Sequence, residues 1–255
     1  MRFVSYLPCA ALQPYIRWLA MQETDVAQVY KVLPDTGLVI GFQYRGGLAY
    51  HEAHGPVALA TAGITGIRDE YRLFENTPGT GTVLVVFKEG GAAPFFRLPL
   101  HELAHQSVSL DQLVPHDQLA ALQDDLHAAT TEVARVQRVE ALLLALLRPV
   151  PADRLVQAAL ALLHQTSGTV RMTELAQQLG TSASPLGKRF RQAVGTSPKK
   201  LAMLIRLQTA MARYRPGMSL TELSYAAGFY DQAHFIHAFQ TFAGQAPTAY
   251  FRDAK

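Results

Sequence analysis

The hydrophobic positions of this chain change their rhythm about a third of the way along. Through about residue 90 they come in short runs, VYKVLP, Leu38 to Tyr44, GGLAYH, VALAT, EYRLFE and TVLVVFK, each of strand length. The breaks PDTG, RGG, HGP and NTPGTG bring the Gly, Pro and Asn that tight turns require, so an antiparallel β-sandwich or barrel is predicted. From Gly91 onward FFRLP and LHELAHQ read as short helical pieces. Asp117 to Leu147 reads as one or two amphipathic helices rich in Ala and Leu. Pro149 and Pro151 then stop the helix and mark a domain boundary.

After residue 153 the periodicity is helical throughout, and the sequence nearly repeats itself. Thr173-Glu174-Leu175 and Gly180 recur as Thr221-Glu222-Leu223 and Gly228, 48 residues later. Leu186, Phe190, Gly195 and Pro198 recur as Phe235, Phe239, Gly244 and Pro247, 49 residues later. Each half has a short helix with a small residue, Ala176 or Ser224, where a second helix must approach closely. Gly180 and Gly228 permit a sharp turn, and Ser182 and Asp231 are suited to cap the helix that follows. Ser219 and Glu222 form a capping-box pattern. Leu186 with Phe190, and Phe235 with Phe239, stand i, i+4 and form a buried stripe. The opposite face carries Ser184, Lys188 and Arg191 in the first unit and Gln232, His234 and His237 in the second. Such groups suit phosphates and the edges of bases in a groove. Pro185 falls in the first helical turn, where its missing N–H has no intrahelical partner. Lys199 to Tyr214 reads as one linking helix, about two dozen Å long at roughly 1.5 Å per residue.

The 255 residues, 49% hydrophobic, suffice for two modest domains. The single cysteine, Cys9, excludes a disulfide framework and a thiolate zinc site, and suits a reducing compartment. The N-terminus has no long apolar stretch, so no secretion signal or membrane anchor is expected, and Ala141 to Leu147 is too short to span a bilayer. That run offers a helix-pairing face. The net charge of +3 is unevenly spread: residues 154–255 hold 12 Lys and Arg against 4 Asp and Glu, a net of +8, leaving −5 for residues 1–153. This division points to one half that meets a polyanion.

The stretches AAGFYDQAHFIHAFQTFAGQAPTAY and TELAQQLGTSASPLGKRFRQAVGTSPKK resemble the two helix-turn-helix units of the AraC/XylS family of bacterial regulators. The resemblance covers about residues 154 to 252 and implies two three-helix subdomains joined by a linking helix, with recognition helices beginning near Ser182 and Asp231. Two positions depart from the pattern. His237 stands where arginine is common, and Gly187 is read as removing a side chain from the exposed side of the first recognition helix. The first half resembles, less specifically, the cupin-like domain of one subgroup of these regulators, through the PDTG turn, FKEGGAAPFFRLPLHEL and a helical connector.

One motif argues for other chemistry. His101-Glu102-Leu103-Ala104-His105 has the H-E-x-x-H spacing, which on a helix places two histidines on one face for zinc and a glutamate to activate water. Pro99 before it and Ser107-Val108-Ser109 after it leave barely two turns. Asp124, Asp125 and Glu132 compete equally as a third ligand. His51 and His54 are read as exposed turn residues, not ligands.

The resulting expectation is an α+β chain with three parts: residues 1–115, a cupin-like sensory or dimerisation domain, antiparallel sandwich or barrel; residues 116–150, a helical connector; residues 151–255, an all-α tandem helix-turn-helix domain. It is expected to be a cytoplasmic, sequence-specific DNA-binding regulator of transcription and not an enzyme, with Ser182, Ser184, Lys188, Arg191, Gln232, His234 and His237 at the DNA. Double-stranded DNA is the expected partner; RNA polymerase, a small-molecule effector and a second copy of the chain are further ones. No cofactor, metal or catalytic residue is expected, and a zinc hydrolase using His101, Glu102 and His105 is the alternative.

Overall fold

Alternation along the strands divides the first half into layers. The structure is a computed structural model that describes residues 1–148 and 150–253. Its larger sheet has the order β1 (Arg2–Tyr6), β2 (Ile16–Thr24), β9 (Thr80–Phe87), β4 (Val39–Arg45), β7 (Ala62–Thr65), β10 (Ser107–Ser109). The smaller sheet has the order β3 (Gln28–Val32), β8 (Arg72–Asn76), β5 (Leu48–Glu52), β6 (Gly55–Ala58). Every pairing is antiparallel. In the larger sheet Leu19, Met21, Ile40, Phe42, Val83 and Val85 all point to one face and are at most 1% exposed. That face is covered by α1 (His116–Ala128) and α2 (Glu132–Leu146), which bury Leu119, Leu122 and Leu126, and Val136, Val139 and Leu143. Each such side chain stabilises the packing by about 1.5–3 kcal/mol. The intervening residues of the same strands face the smaller sheet, so the larger sheet is the middle layer of three.

The structure departs from the sequence reading in several places. Strands β1, β2, β7 and β10 carry no clear alternation bounded by turn residues and were not expected. FFRLP is not helical; residues 91–95 run as turns. LHELAHQ forms a single 3-10 turn over Leu100–Leu103 and then extends into β10. His51 is not a turn residue but sits on β5, with Nε2 2.9 Å from Glu75 on the neighbouring β8. The expected stop at Pro149 lies outside the described residues; at Pro151 the chain is irregular before the next helix.

The second half comprises α3 (Arg154–Gln165), α4 (Met172–Gln178), α5 (Ala183–Val194), α6 (Pro198–Arg213), α7 (Leu220–Ala226), α8 (Gln232–Ala243) and α9 (Pro247–Asp253). The repeated stripe is its core: Leu186 is 2% exposed, and Phe190, Phe235 and Phe239 are fully buried. No described helix is long and apolar enough to cross a membrane.

Candidate nucleic-acid interface

Both helical pairs have the geometry that the repeat predicts. Between α4 and α5, and between α7 and α8, the turns place Gly180 and Gly228 at φ +62° and +75°, a region that side-chain-bearing residues avoid. Ser224, the small residue of the second unit, is fully buried and its hydroxyl donates to the Thr221 carbonyl at 2.8 Å. The capping box at α7 is complete: the Glu222 amide donates to the Ser219 hydroxyl and the Ser219 amide to the Glu222 carboxylate. That carboxylate, hydrogen-bonded by the Ser219 hydroxyl and amide, lies below its usual range.

The caps of the two recognition helices differ. Asp231 accepts the His234 amide at 2.7 Å, as expected. Ser182 occupies the cap position of α5 but makes no side-chain cap bond. The physical reason is Pro185, which stands third in the helix and has no N–H to offer, so one of the two amides that a capping hydroxyl normally accepts is missing. The Ser182 hydroxyl is thereby left to solvent or a ligand.

Ser182, Ser184, Lys188, Arg191, Gln232, His234 and His237 are all exposed. Lys188 has no acidic partner within 4 Å among the described residues. Gln232 is oriented, because its Oε1 accepts the Thr221 hydroxyl at 2.7 Å and its amide nitrogen is left as a donor. His234 packs edge-on against Phe229 at 5.4 Å. Gly187 differs from expectation: it is buried, and a Cβ there would meet the Arg191 guanidinium at 3.4 Å. Arg191 lies back across the glycine one turn earlier, so the missing side chain makes room for a cation.

The local excess of positive charge is only partly free for a polyanion. Arg189 forms a two-pronged bond to Asp153, the cap of α3, at 2.7 and 2.8 Å. Burial tends to raise the Asp153 pKa, but Arg189 and the Val156 and Leu155 amides outweigh it and hold this carboxyl low. Lys200 pairs with Asp69 at 2.7 Å, Arg206 lies over the Phe229 ring, and Arg213 bonds the Ala226 carbonyl. Counting charges along the sequence cannot reveal these partners. Sequence reasoning also missed Thr221 as the group that orients Gln232, and Tyr230, which is 88% exposed immediately before the α8 cap.

Residues of the first half hold both recognition helices, the 3-10 turn at Leu100 against α5 and β3 with Tyr71 against α8. The C-terminal caps, Gly195 and Gly244, adopt φ +97° and +69°. A Cβ at Gly195 would stand 3.3 Å from the Leu100 carbonyl oxygen, and one at Gly244 would stand 2.3 Å from the Tyr71 ring. Lys31 on β3 donates to the Ala243 carbonyl at 2.8 Å. The two helices are thus held at their C-terminal ends, while the exposed polar groups run from the first turn of each to His237 in the middle of α8 and Arg191 in the last turn of α5.

The H-E-x-x-H segment does not form the helical face that zinc binding needs. Ala104 is extended, and His105 is at φ +62° with Nδ1 3.4 Å from Asp69. Asp125 faces Arg138 at 3.5 Å, and Glu132 pairs with Arg2. Among the described residues no group of three or more His, Cys, Asp or Glu could hold a metal ion.

Two family models match the chain. One, described as a helix-turn-helix domain, covers residues 175–253. The other, a domain of unknown function named DUF6597, covers residues 4–109. The chain is 28% identical over 90 residues to the Msm operon regulatory protein of Streptococcus mutans, a match spanning 35% of this chain and 32% of that protein. It therefore matches about a third of that relative's length. Similar solved structures include ToxT from Vibrio cholerae, at 10% identity over 98% of each chain with a TM-score of 0.47. A DNA-binding transcriptional dual regulator from Escherichia coli K-12 is similar at 23% identity over 39% of this chain and 96% of that one, with a TM-score of 0.34.

Proposed function

We propose that this chain, whose residues 175–253 form a helix-turn-helix domain of the AraC/XylS type, is a sequence-specific regulator of transcription that reads duplex DNA with α5 and α8. The observation that carries this reading is the duplicated pair of helices, each with its stripe buried and its polar face exposed, joined by the 16-residue α6. At about 1.5 Å per residue α6 spans roughly 24 Å, a spacer suited to two major-groove segments about 34 Å apart.

In this reading Lys188 and Arg191 meet phosphate or guanine, and Gln232 and His234 meet base edges. Ser182 and Ser184 donate to the backbone near the start of α5, and His237 adds a contact one turn along α8. His237 offers a weaker contact than an arginine would. Residues 1–115 act as the sensory or dimerisation part and residues 116–150 as the connector. The test is selection of the full chain on a pool of random duplexes at increasing salt. Enrichment of two sequence elements about one helical turn apart is expected. Salt-sensitive retention without enrichment of any sequence would overturn the reading.

A further inference from the structure

The offset between the two helix-turn-helix units changes once, from 48 to 49 residues, between the turn glycine and the cap of the recognition helix, and hydrogen bonds identify the additional residue. In the first unit the Thr181 amide, directly after Gly180, donates to the Ala176 carbonyl at 3.0 Å, and the next residue, Ser182, is already the cap. In the second the Phe229 amide, directly after Gly228, donates to the Ser224 carbonyl at 2.9 Å, but the cap is Asp231. Tyr230 is therefore the residue that the second unit has and the first does not. Its backbone is held on both sides: Phe229 is 3% exposed with its ring 5.1 Å from that of Phe235, and Asp231 caps α8. Its side chain is 88% exposed, and among the described residues it makes no hydrogen bond or ring contact.

The second recognition helix also lacks the cations of the first. α5 carries Lys188, Arg189 and Arg191, whereas α8 contains no Lys or Arg. Arg206 and Arg213 turn onto the carbonyls of Gly228 and Ala226. Attraction to phosphate, which needs Lys or Arg, is thus stronger at α5, and α8 has to gain from contacts that carry no charge. An exposed aromatic ring gains free energy where it leaves water against another apolar group. In the major groove the apolar group that marks one base is the C5-methyl of thymine. We propose that Tyr230 is a specificity-determining residue of the second unit, its ring packing on the methyl group of one thymine beside the bases met by Gln232 and His234. Those two side chains are oriented by Thr221 and Phe229, so the start of α8 presents one reading edge with two polar members and one apolar member. The proposal deepens the DNA-binding reading and rests on it.

The full chain is measured on the duplex it selects and on versions in which each thymine in turn is replaced by deoxyuridine. That exchange removes the methyl group and leaves every hydrogen-bonding atom of the base in place. At one position or more, affinity is expected to fall about fourfold on loss of the methyl. Tyr230→Ala is expected to bind the thymine duplex about fourfold or more weakly than wild type and to make no distinction at one of those positions. Tyr230→Phe, which keeps the ring, should distinguish there as wild type does. Tm and the slope of log affinity against log salt should be equal in the three proteins, because the side chain supports nothing in the fold and meets no phosphate. A methyl effect that Tyr230→Ala leaves intact at every position overturns the proposal, as does a selected site whose thymines are all indifferent to the exchange, or one that has none. Loss of the distinction in Tyr230→Phe overturns the ring contact in favour of the hydroxyl, and a lower Tm or a smaller salt slope in Tyr230→Ala overturns it in favour of a structural or phosphate role. A chain that selects no duplex fails the DNA-binding reading itself and takes the proposal with it, whereas each of the other outcomes leaves that reading standing.

Discussion

Glu89, just after β9, stands 3.5 Å from His164 on α3, so that the sheet half and the helical half meet through a carboxylate and an imidazole. The same carboxylate receives Arg17 at 3.1 Å and the Thr36 hydroxyl. Burial tends to raise its pKa, but the bonds to His164 and Thr36, its own backbone and the Arg17 charge outweigh this and hold it down to about 2. The bond to Glu89 in turn raises the His164 pKa, against the effects of burial and Arg17.

These shifts give the junction a pH window. A raised histidine pKa contributes stability that is complete below its unfolded value of 6.5 and is lost as pH rises through the folded value. A depressed carboxylate pKa contributes above its unfolded value of 4.5 and is lost as pH falls toward about 2. His164→Gln is therefore expected to lower Tm most between those values, by about 1–3 °C since the histidine is half exposed. The deficit should shrink by pH 8.5, where the neutral imidazole leaves Arg17 and the Thr36 hydroxyl to face Glu89. Thermal melts of both proteins across pH 5 to 8.5 check this; a deficit that does not vary with pH would refute it.

Lys188→Ala is expected to weaken binding to all duplexes alike and to reduce the slope of log affinity against log salt by about 0.9, one phosphate. Arg189→Ala acts by another route, because Arg189 is committed to Asp153 and the start of α3. It should lower thermal stability more than it changes the salt slope. Affinity measured at several salt concentrations, beside melting curves, separates the two.

Thr221→Val removes the hydroxyl that orients Gln232 without touching the exposed face of α8. Selectivity at the base read by Gln232 should fall while overall affinity holds. Gln232→Ala should lose about 1–3 kcal/mol on the preferred site. Competition among duplexes randomised at single positions reads both effects, and selectivity untouched by Gln232→Ala would remove that residue from base recognition.

Gly244→Ala places a side chain at φ +69° with its Cβ 2.3 Å from the Tyr71 ring. The backbone penalty alone is about 1–2 kcal/mol, so Tm should fall by about 3–8 °C. Tyr71→Ala in the same background should recover the part due to the clash and leave the backbone part, which a double-mutant cycle of melts resolves.

The helical half of the chain was legible because its information is local. A repeat at 48 and 49 residues, two turn glycines, a capping box and stripes at i, i+4 specify each helix pair without reference to distant residues. Even the exposure of Lys188, Gln232 and His234 followed from the stripe that is buried opposite them. The strands were legible only where alternation was bounded by turn residues, so β1, β2, β7 and β10, defined by their partners across the sheet, were not.

What required the tertiary structure depends on pairs far apart in the chain. Whether a cation is free is decided by its neighbours: Arg189 is taken by Asp153 and Lys200 by Asp69, while Lys188 is taken by neither. The H-E-x-x-H spacing has zinc geometry only on a helix, and the positive φ of His105 removes that face. Arg72 is buried, bonded to Ser107 and laid over the Tyr50 ring only once strands distant in the chain come together. Local sequence determines helices, caps and faces because their forces act within a few residues, whereas burial and charge pairing are set by groups that only folding brings together.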